Sequence, residues 1–374
     1  MKIGLVCPYS IAKGGGVLEI VRAMQIELRK RGHDTYIITP RPQGYDGEPE
    51  DHMIFIGGST DFNGPARTTV QVSASVNETI DRMLDEEKFD ILHFHEPEIP
   101  DLGRQILSRS TCVNVATFHA NIPETVVART FVKVVTPYTK SVIKYIDELT
   151  AVSDAAAEYI CSLTDRPVAI IPNAIAPRFT PPRVFVDRRK RKTILYIGRL
   201  EGRKGVSYLL HAFKLLQEKR PDVSLVLGGD GVDRSKLEML AADLELKNIT
   251  FLGYISDEEK LKLLRKSDLF CSPALYGESF GLVLLEAMAT GLVTVAGDNP
   301  GYAGVMKGLG ALSLINPRHT AEFARRLDLL LHETDLRKLW RGWAAKEIKQ
   351  YTYPVIVDQY EEIYRQALEK HSKK

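Results

Sequence analysis

The sequence predicts an α/β protein built from two doubly wound domains in tandem. Its 374 residues exceed what one hydrophobic core usually organises. Short apolar runs alternate with helical patterns along the chain, which is typical of parallel sheets covered by helices on both faces. The order of strand, glycine-containing loop and helix begins near residue 3 and begins again at residue 193. The two domains are therefore expected to share one plan.

The first half contains four apolar runs that we interpret as buried strands. The first run is followed by a loop ending in Gly14, Gly15 and Gly16, and then by a helical pattern that continues to Leu28. Helical segments separate the later runs, whose length is typical of strands. The predicted strands are residues 3–7, 35–39, 91–94 and 113–118.

The second half repeats this pattern after a linker over residues 177–192, which is rich in proline and basic residues. A helix is predicted over 206–220, and strands over 193–198, 223–227, 250–252, 269–271 and 293–296. We therefore predict domains over 1–178 and 190–354. Apolar residues and tyrosines recur at helical spacing near the C-terminus, and we expect a helix within 355–374 that returns to the first domain.

The composition is that of an ordinary globular protein. The chain is 44% hydrophobic and 26% charged, with a net charge of +2, so no basic field indicates a nucleic-acid partner. The apolar runs are shorter than the roughly 18 residues that span a bilayer, and the N-terminus lacks a signal peptide's features. We expect a cytoplasmic protein. Its four scattered cysteines indicate buried thiols rather than disulfides or a zinc site: Cys7, Cys112, Cys161 and Cys271.

The loops that follow strands are the first places to search for a site, because ligands of open α/β sheets bind beyond the carboxyl ends of the strands. Two such sheets facing each other would create a deep cleft. The run Gly14–Gly16 lacks the G-x-G-x-x-G spacing, and no acidic residue follows the second strand, so a conventional dinucleotide site is not expected. Glycines that open a helix can bring backbone N–H groups close to an anion; a surface turn explains them equally well.

The corresponding loop of the second domain contains Arg199 and Lys204. An arginine just after a buried strand is well placed for phosphate oxygens, which its planar fork matches. Lys204 adds a second positive charge near the start of the next helix. The alternative is that Arg203 and Lys204 form a solvated charge pair.

Glu278 and Glu286 bracket the start of a predicted helix that begins near residues 280–281. Eight helical residues separate two backbone positions by about 12 Å, more than the roughly 5–10 Å of paired glycosidase carboxylates. The spacing suits an elongated ligand whose hydroxyls donate to both carboxylates, as in a nucleoside diphosphate sugar. From these two residues alone, an ordinary amphipathic helix explains the pattern better.

Three histidines complete the candidates. His93 and His95 alternate on one strand, and His119 follows the strand 113–118, where a cleft residue is expected. A two-histidine metal site has no supporting carboxylate-rich loop. No Asp-x-Asp pair stands at the end of a predicted strand.

Taken in order, these motifs resemble those of the retaining glycosyltransferases of family 4. The resemblance rests on the E-x7-E pair Glu278 and Glu286 and covers nearly the whole chain. Further matching segments are 95–97, 118–119, 152–153, 171–173, 198–199, 204–205 and 251–253. The family implies the GT-B fold, two Rossmann-like domains with the active site between them. It also implies an N-terminal acceptor domain and a C-terminal donor domain.

The resemblance implies roles in the donor domain. Arg199 and Lys204 would bind the donor diphosphate, Glu286 the ribose and Glu278 the sugar. With His119, the residues Arg199, Lys204 and Glu278 form the implied catalytic set. The backbone that would assist Glu278 belongs to Ser279, Phe280, Gly281 and Leu282.

Other implied contacts are spread over both domains. Gly15 and Gly16 would approach the diphosphate, and His119 would lie beside the transferred sugar. The backbone of Ile255 would contact the base, and Tyr9 would stack on the acceptor's ring. No metal or other cofactor is implied, because the nucleotide sugar is a substrate.

The start of the chain, residues 1–10, is most similar to family members that transfer mannose from GDP-mannose to phosphatidylinositol. We therefore expect a polar lipid acceptor and peripheral contact with the inner face of the cytoplasmic membrane. One departure argues against an anionic lipid as the acceptor: residues 77–87 are acidic where such members carry a basic membrane-binding helix. The alternatives are a UDP-sugar donor with another lipid, soluble or polysaccharide acceptor, and a non-catalytic nucleotide-sugar sensor.

Overall fold

The computed structural model describes residues 1–11, 16–63, 69–100, 102–121, 126–181 and 191–373, with side chains described except at 59–63, 69–74 and 126–134. The chain divides into two compact units. Unit 1 comprises Met1–Ala174 and Tyr353–Lys374, and unit 2 comprises Ile175–Thr352.

Unit 1 is built on a largely parallel sheet of eight strands among the described residues, in the order β4-β3-β2-β1-β5-β6-β7-β8. Only the β3–β4 pair of this sheet, as described, is antiparallel. The elements in chain order are β1 (Lys2–Val6), α1 (Gly16–Lys30), β2 (Asp34–Arg41), β3 (Met53–Asn63), β4 (Thr69–Ala74), α2 (Asn77–Glu87), β5 (Ile91–His95), α3 (Leu102–Leu107), β6 (Val113–Phe118), α4 (Val126–Ile143), β7 (Glu148–Ala151), α5 (Asp154–Cys161) and β8 (Val168–Ile170).

Unit 2 has a parallel sheet in the order β11-β10-β9-β12-β13-β14 across its described residues. Its elements are β9 (Thr193–Ile197), α6 (Val206–Lys219), β10 (Ser224–Gly228), α7 (Arg234–Asp243), β11 (Ile249–Gly253), α8 (Asp257–Lys266), β12 (Leu269–Ser272), α9 (Leu282–Ala289), β13 (Thr294–Gly297), α10 (Pro300–Val305), β14 (Leu314–Ile315), α11 (Thr320–His332) and α12 (Thr334–Glu347). Short 3-10 helices cover Gly202–Lys204, Gly308–Ser313 and Ile348–Tyr351.

Each sheet reverses its strand order once, and this determines where a ligand can bind. In unit 1 the reversal lies between β1 and β5, with Leu5 of β1 beside His93 of β5. In unit 2 it lies between β9 and β12, with Leu195 beside Phe270. At such a switch point the connections that follow the two strands lead to opposite faces of the sheet, and the carboxyl edge there is where ligands of open α/β sheets bind.

The last helix, α13 (Tyr353–His371), belongs to unit 1. It buries a face of six residues in the core around α1 and β1: Tyr353, Ile356, Val357, Tyr360, Tyr364 and Ala367. Arg31, just after α1, pairs with Asp358 at 2.6 Å and with Glu361. The predicted return of the C-terminal helix to the first domain is therefore confirmed.

The predicted strands of both halves are present, but five strands were not predicted. Three of them, β7, β8 and β14, have two to four residues, too few to show an alternating pattern. Of the other two, β3 contains two glycines followed by several polar residues, and half of the six residues of β4 are polar. The expectation of four buried thiols is also wrong in part. Cys7 and Cys271 are buried, but Cys161 is exposed, and none of the four is in a disulfide.

Candidate functional site

The loops after β9 and β12 touch at the switch point of unit 2. Gly205 adopts φ +69°, and a Cβ atom there would lie 2.1 Å from the carbonyl oxygen of Pro273. No side chain fits that space, so the close approach requires glycine. The Leu275 N–H donates to the Arg203 carbonyl at 2.8 Å. This contact aligns the side chains of the two loops.

Five side chains of these loops form a row of alternating charge, which we call the charge chain: Arg199, Glu201, Arg203, Glu278 and Lys204. Arg199 Nη1 lies 2.7 Å from Glu201 Oε1, and Arg203 Nε lies 3.1 Å from Glu201 Oε2. Arg203 Nη1 and Lys204 Nζ each lie 2.7 Å from Glu278 Oε1. Three cations thus surround two carboxylates.

The charge chain is largely shielded from water, apart from Arg199. The Arg199 side chain is 51% exposed, whereas those of Lys204 and Glu278 are 15% and 12% exposed. Burial lowers the pKa of Lys204 and the neighbouring Glu278 opposes that shift. The alternative of a solvated pair of Arg203 and Lys204 is therefore wrong, because Glu278 holds both cations.

Glu286 belongs to the same region of unit 2 but has a different partner. Helix α9 begins at Leu282, later than predicted, so Glu286 lies in the second helical turn rather than two turns inside. Its Oε1 lies 2.8 Å from Lys260 Nζ of α8, and the residue is 9% exposed. Glu278 and Glu286 therefore each form an ion pair with a different lysine.

The other predicted residues of unit 2 lie at the start of α9 and just after β11. Gly281 is the N-cap with φ +98°, in the left-handed region that favours glycine. Phe280 is buried and packs edge-on against Tyr351, with ring centroids 5.9 Å apart. Ile255 is half-buried, and its Cδ1 would lie 2.9 Å from a Cβ placed on Gly228 at the end of β10.

The switch point of unit 1 brings Tyr9 and Glu96 together. The Tyr9 hydroxyl donates to Glu96 Oε2, and Thr39 Oγ1 donates to the Tyr9 carbonyl at 2.6 Å. Burial raises the pKa of both Tyr9 and Glu96. Glu96 has φ +51°, a strained conformation for a residue with a side chain. The chain bends at this residue, directly after β5.

Both ring nitrogens of His93 form hydrogen bonds within the core of unit 1. Thr150 Oγ1 donates to the Ala116 carbonyl at 3.0 Å, so the Thr117 hydroxyl donates to Thr150 at 2.6 Å. Thr117 Oγ1 then accepts from His93 Nε2 at 2.6 Å, and His93 Nδ1 accepts from the Tyr364 hydroxyl at 2.7 Å. Both ring nitrogens are occupied, which disfavours the two-histidine metal site. Within the described part of the chain, no group of three or more His, Cys, Asp and Glu residues could hold a metal ion.

His95 and His119 form a pair beside this core. His95 Nδ1 lies 2.9 Å from His119 Nε2, and burial lowers the pKa of His119 to about 3. The other nitrogens, His95 Nε2 and His119 Nδ1, are buried without a hydrogen-bond partner among the described residues. Buried polar atoms in this state are uncommon and mark candidate ligand contacts.

The glycine loop can be described only in part. Gly15 lies outside the described residues, and Gly16 is the exposed first residue of α1. Its predicted contact with a diphosphate stays a prediction, as do the roles of the other site residues.

Comparison with known proteins relates this arrangement to a family. Residues 14–179 match the family model for "Glycosyltransferase Family 4", and residues 182–347 match that for "Glycosyl transferases group 1". The phosphatidyl-myo-inositol mannosyltransferase of Mycobacterium leprae is 31% identical over all of this chain and 99% of its own length. The chain belongs to glycosyltransferase family 4.

Solved structures of other glycosyltransferases share the fold. Sucrose-phosphate synthase from Thermosynechococcus elongatus has a TM-score of 0.77 at 18% identity, with 98% of both chains covered. HepE of Anabaena in complex with UDP-glucose has a TM-score of 0.75 at 18% identity, covering 98% of this chain and all of that one. The predicted GT-B fold class of this family 4 glycosyltransferase is thereby confirmed.

Sequence reasoning gave no site role to Glu201, Lys260 or Glu96, and it named Arg203 only as part of a solvated charge pair. Arg203 and Glu201 stand in the loop that contains Arg199 and Lys204, so their proximity was available in the sequence. Lys260 is one of three lysines on the polar helix α8, and nothing in the pattern of that helix connects it with Glu286. Only the tertiary structure shows this pair.

Proposed function

We propose that this glycosyltransferase transfers mannose from GDP-mannose to phosphatidylinositol, or to a related polar lipid, with retention of the anomeric configuration. One observation supports the donor site above all others. Lys204 Nζ and Arg203 Nη1 share Glu278 Oε1 at the carboxyl edge of unit 2, in the charge chain that ends at Arg199. Similarity along the whole chain to the M. leprae mannosyltransferase supports the choice of sugar and acceptor.

The proposed donor contacts follow from the chemistry of each group. Arg199 and Lys204 bind the diphosphate, because both are cations next to a strand end. The carboxylate of Glu278 accepts hydrogen bonds from sugar hydroxyls, and that of Glu286 accepts them from the ribose. In unit 1 we propose that Tyr9 contacts the acceptor and that His119 lies beside the transferred sugar.

The reaction we propose is a displacement on one face of the sugar. The bond between the anomeric carbon and the leaving phosphate oxygen breaks, and the acceptor oxygen bonds to that carbon from the same side. The acceptor's hydroxyl proton passes to the leaving phosphate. Arg199 and Lys204 stabilise the negative charge that develops on the departing diphosphate.

Transfer is proposed to need no metal ion. The two cations would supply the charge stabilisation that a metal provides elsewhere. Full activity in excess chelator is the expected result, and loss of activity that added magnesium restores would contradict it.

Membrane contact would be peripheral. No helix in the described ranges is long and apolar enough to cross a bilayer. A lipid substrate would therefore be taken from the membrane surface.

A second candidate is transfer from a UDP-sugar to a soluble or polysaccharide acceptor. HepE was solved with UDP-glucose on the same fold. Helix α2 exposes four acidic side chains, which disfavours contact with an anionic bilayer: Glu78, Asp81, Asp85 and Glu86.

The test compares GDP with UDP as ligands and lipids as acceptors. A ligand at 100 times its dissociation constant stabilises a folded protein by about 2.7 kcal/mol, so the true nucleotide should raise the melting temperature. We expect protection by GDP, and transfer from labelled GDP-mannose to phosphatidylinositol vesicles but not to phosphatidylcholine vesicles. Protection by UDP alone, with transfer to a soluble sugar, would favour the second candidate.

Two variants test the assignment of the phosphate-binding residues. Arg199→Ala and Lys204→Ala should abolish transfer while the circular dichroism spectrum is retained. Arg325→Ala is the matched control, because Arg325 is an exposed arginine of unit 2 that pairs with Glu322 on the same helix. Near-normal turnover in both of the first two variants would contradict the proposed donor site.

A further inference from the structure

Arg203 is the central cation of the charge chain and contacts both of its carboxylates. Its Nε lies 3.1 Å from Glu201 Oε2, and its Nη1 lies 2.7 Å from Glu278 Oε1. Nη1 also donates to the Gly277 carbonyl at 3.2 Å. The planar guanidinium, with five N–H donors in a fixed fork, can make these bonds at once.

Arg199 and Lys204 occupy the two ends of the charge chain. Glu201 holds Arg199 at 2.7 Å, and Glu278 holds Lys204 at 2.7 Å. A diphosphate that binds these cations must compete with both carboxylates. If Lys204 turned away from Glu278 and no other cation stayed, a carboxylate with 12% exposure would lose its counter-charge, which is costly.

We propose that Arg203 is a positioning residue that keeps Glu201 and Glu278 paired while Arg199 and Lys204 turn to the anion of a nucleoside diphosphate. This inference rests on the proposed function. Because Arg203 already contacts both carboxylates, neither is left without a cation when the end cations move. Arg203 itself need not touch the ligand.

The charge balance leads to a specific expectation for double variants. In the wild type, the charge chain has three cations and two carboxylates, an excess of one positive charge. Arg203→Gln leaves two of each, so both carboxylates retain the end cations and compete with the ligand. Glu201→Gln with Arg203→Gln leaves Arg199, Lys204 and Glu278, which restores the excess of one.

Isothermal titration with GDP and with UDP tests this in the full-length protein. We expect Arg203→Gln to weaken binding of the preferred nucleotide about tenfold or more, and Glu201→Gln with Arg203→Gln to recover at least half of that loss on a logarithmic scale. Arg203→Lys should fall between the wild type and Arg203→Gln, because one ammonium cannot reproduce the fork. Arg325→Gln is the control and should bind as the wild type does.

The inference would be overturned if Arg203→Gln bound the nucleotide with an affinity within twofold of the wild type. It would also be overturned if the double variant folded but bound the nucleotide no better than Arg203→Gln does. If Arg203→Gln does not fold, the single variant Glu201→Gln provides the test. It frees Arg199 from its carboxylate and should bind the nucleotide at least as tightly as the wild type does. Weaker binding would overturn the inference. Failure of the proposed function looks different. In that case the wild type binds neither nucleotide, or Lys204→Ala binds as the wild type does.

Discussion

His95 Nδ1 and His119 Nε2 lie 2.9 Å apart, with ring centroids at 5.2 Å and an angle of 28° between the ring planes. The rings therefore meet edge to edge, unlike His93 and His95, whose centroids are only 4.4 Å apart. Burial lowers the pKa of both members of the pair, so both are neutral near pH 7. One ring donates and the other accepts. The two remaining nitrogens then comprise one donor and one acceptor, a combination suited to sugar hydroxyls.

The first prediction concerns this pair. His95→Phe removes the hydrogen bond that orients His119, and we expect transfer to fall by about tenfold to a hundredfold. Nucleotide binding should stay unchanged, since neither histidine is among the proposed nucleotide contacts. Steady-state assays with titration of GDP and UDP measure the two effects. His211→Phe, a change at an exposed histidine, is the control, and an unaltered rate in His95→Phe would refute the role.

The second prediction concerns the hydrogen bond between Tyr364 of α13 and His93 of β5. Tyr364→Phe removes the donor to His93 Nδ1 and leaves a buried ring nitrogen without a partner. The expected loss in the free energy of unfolding is about 1–3 kcal/mol. Urea unfolding followed by circular dichroism measures it. Tyr254→Phe removes the same atom from a residue that is 86% exposed and should change stability little; equal effects of the two variants would contradict the argument.

The third prediction compares two lysines of α8. Lys260→Met breaks a pair with Glu286 in which the side chains are 16% and 11% exposed, and it should lower stability by about 2–4 kcal/mol. Lys262→Met breaks a pair with Glu258 whose side chains are 61% and 78% exposed, and a much smaller loss is expected, because exposed ion pairs contribute little to stability. Tryptophan fluorescence reports on unit 2, because Trp340 and Trp343 both lie there. A larger loss in Lys262→Met would show that burial does not decide the strength of these pairs.

The fourth prediction concerns pH and Glu98. Burial, with a contribution from Glu96, raises the pKa of Glu98 to about 8. Because this exceeds the value of the unfolded chain, about 4.3, the folded protein binds the proton more tightly. The free energy of unfolding should therefore fall as the pH rises from about 4.3 to 8.

The comparison that tests this uses Glu98→Gln, which cannot ionise. The wild type should lose stability between pH 5 and pH 9 relative to Glu98→Gln, by an amount on the order of 4 kcal/mol. Chemical unfolding at several pH values measures the difference. Glu369→Gln, at an exposed site of α13, should follow the wild type at every pH. Parallel curves for the wild type and Glu98→Gln would rule out a raised pKa.

Much of the fold could be predicted from local patterns. The strands β1, β5, β6 and β9 are short apolar runs, and their burial in a parallel sheet covered on both faces explains why they stand out as continuous apolar runs rather than as alternating patterns. The charge chain was predicted in part, since Arg199 and Lys204 follow β9 directly. The resemblance placed Glu278 in the same site, but its ion pairs with Lys204 and Arg203 were not predicted, because Glu278 comes from a loop more than seventy residues later.

The amino-acid sequence by itself determined the family, the two α/β units and the strand ends at which polar side chains gather, because these follow from residue order and periodicity. The tertiary structure alone decided which charges pair: Glu278 with Lys204 and Arg203, and Glu286 with Lys260. The reason is physical. Strand order at the switch point brings distant loops together, and burial then requires each carboxylate to have a cation within reach.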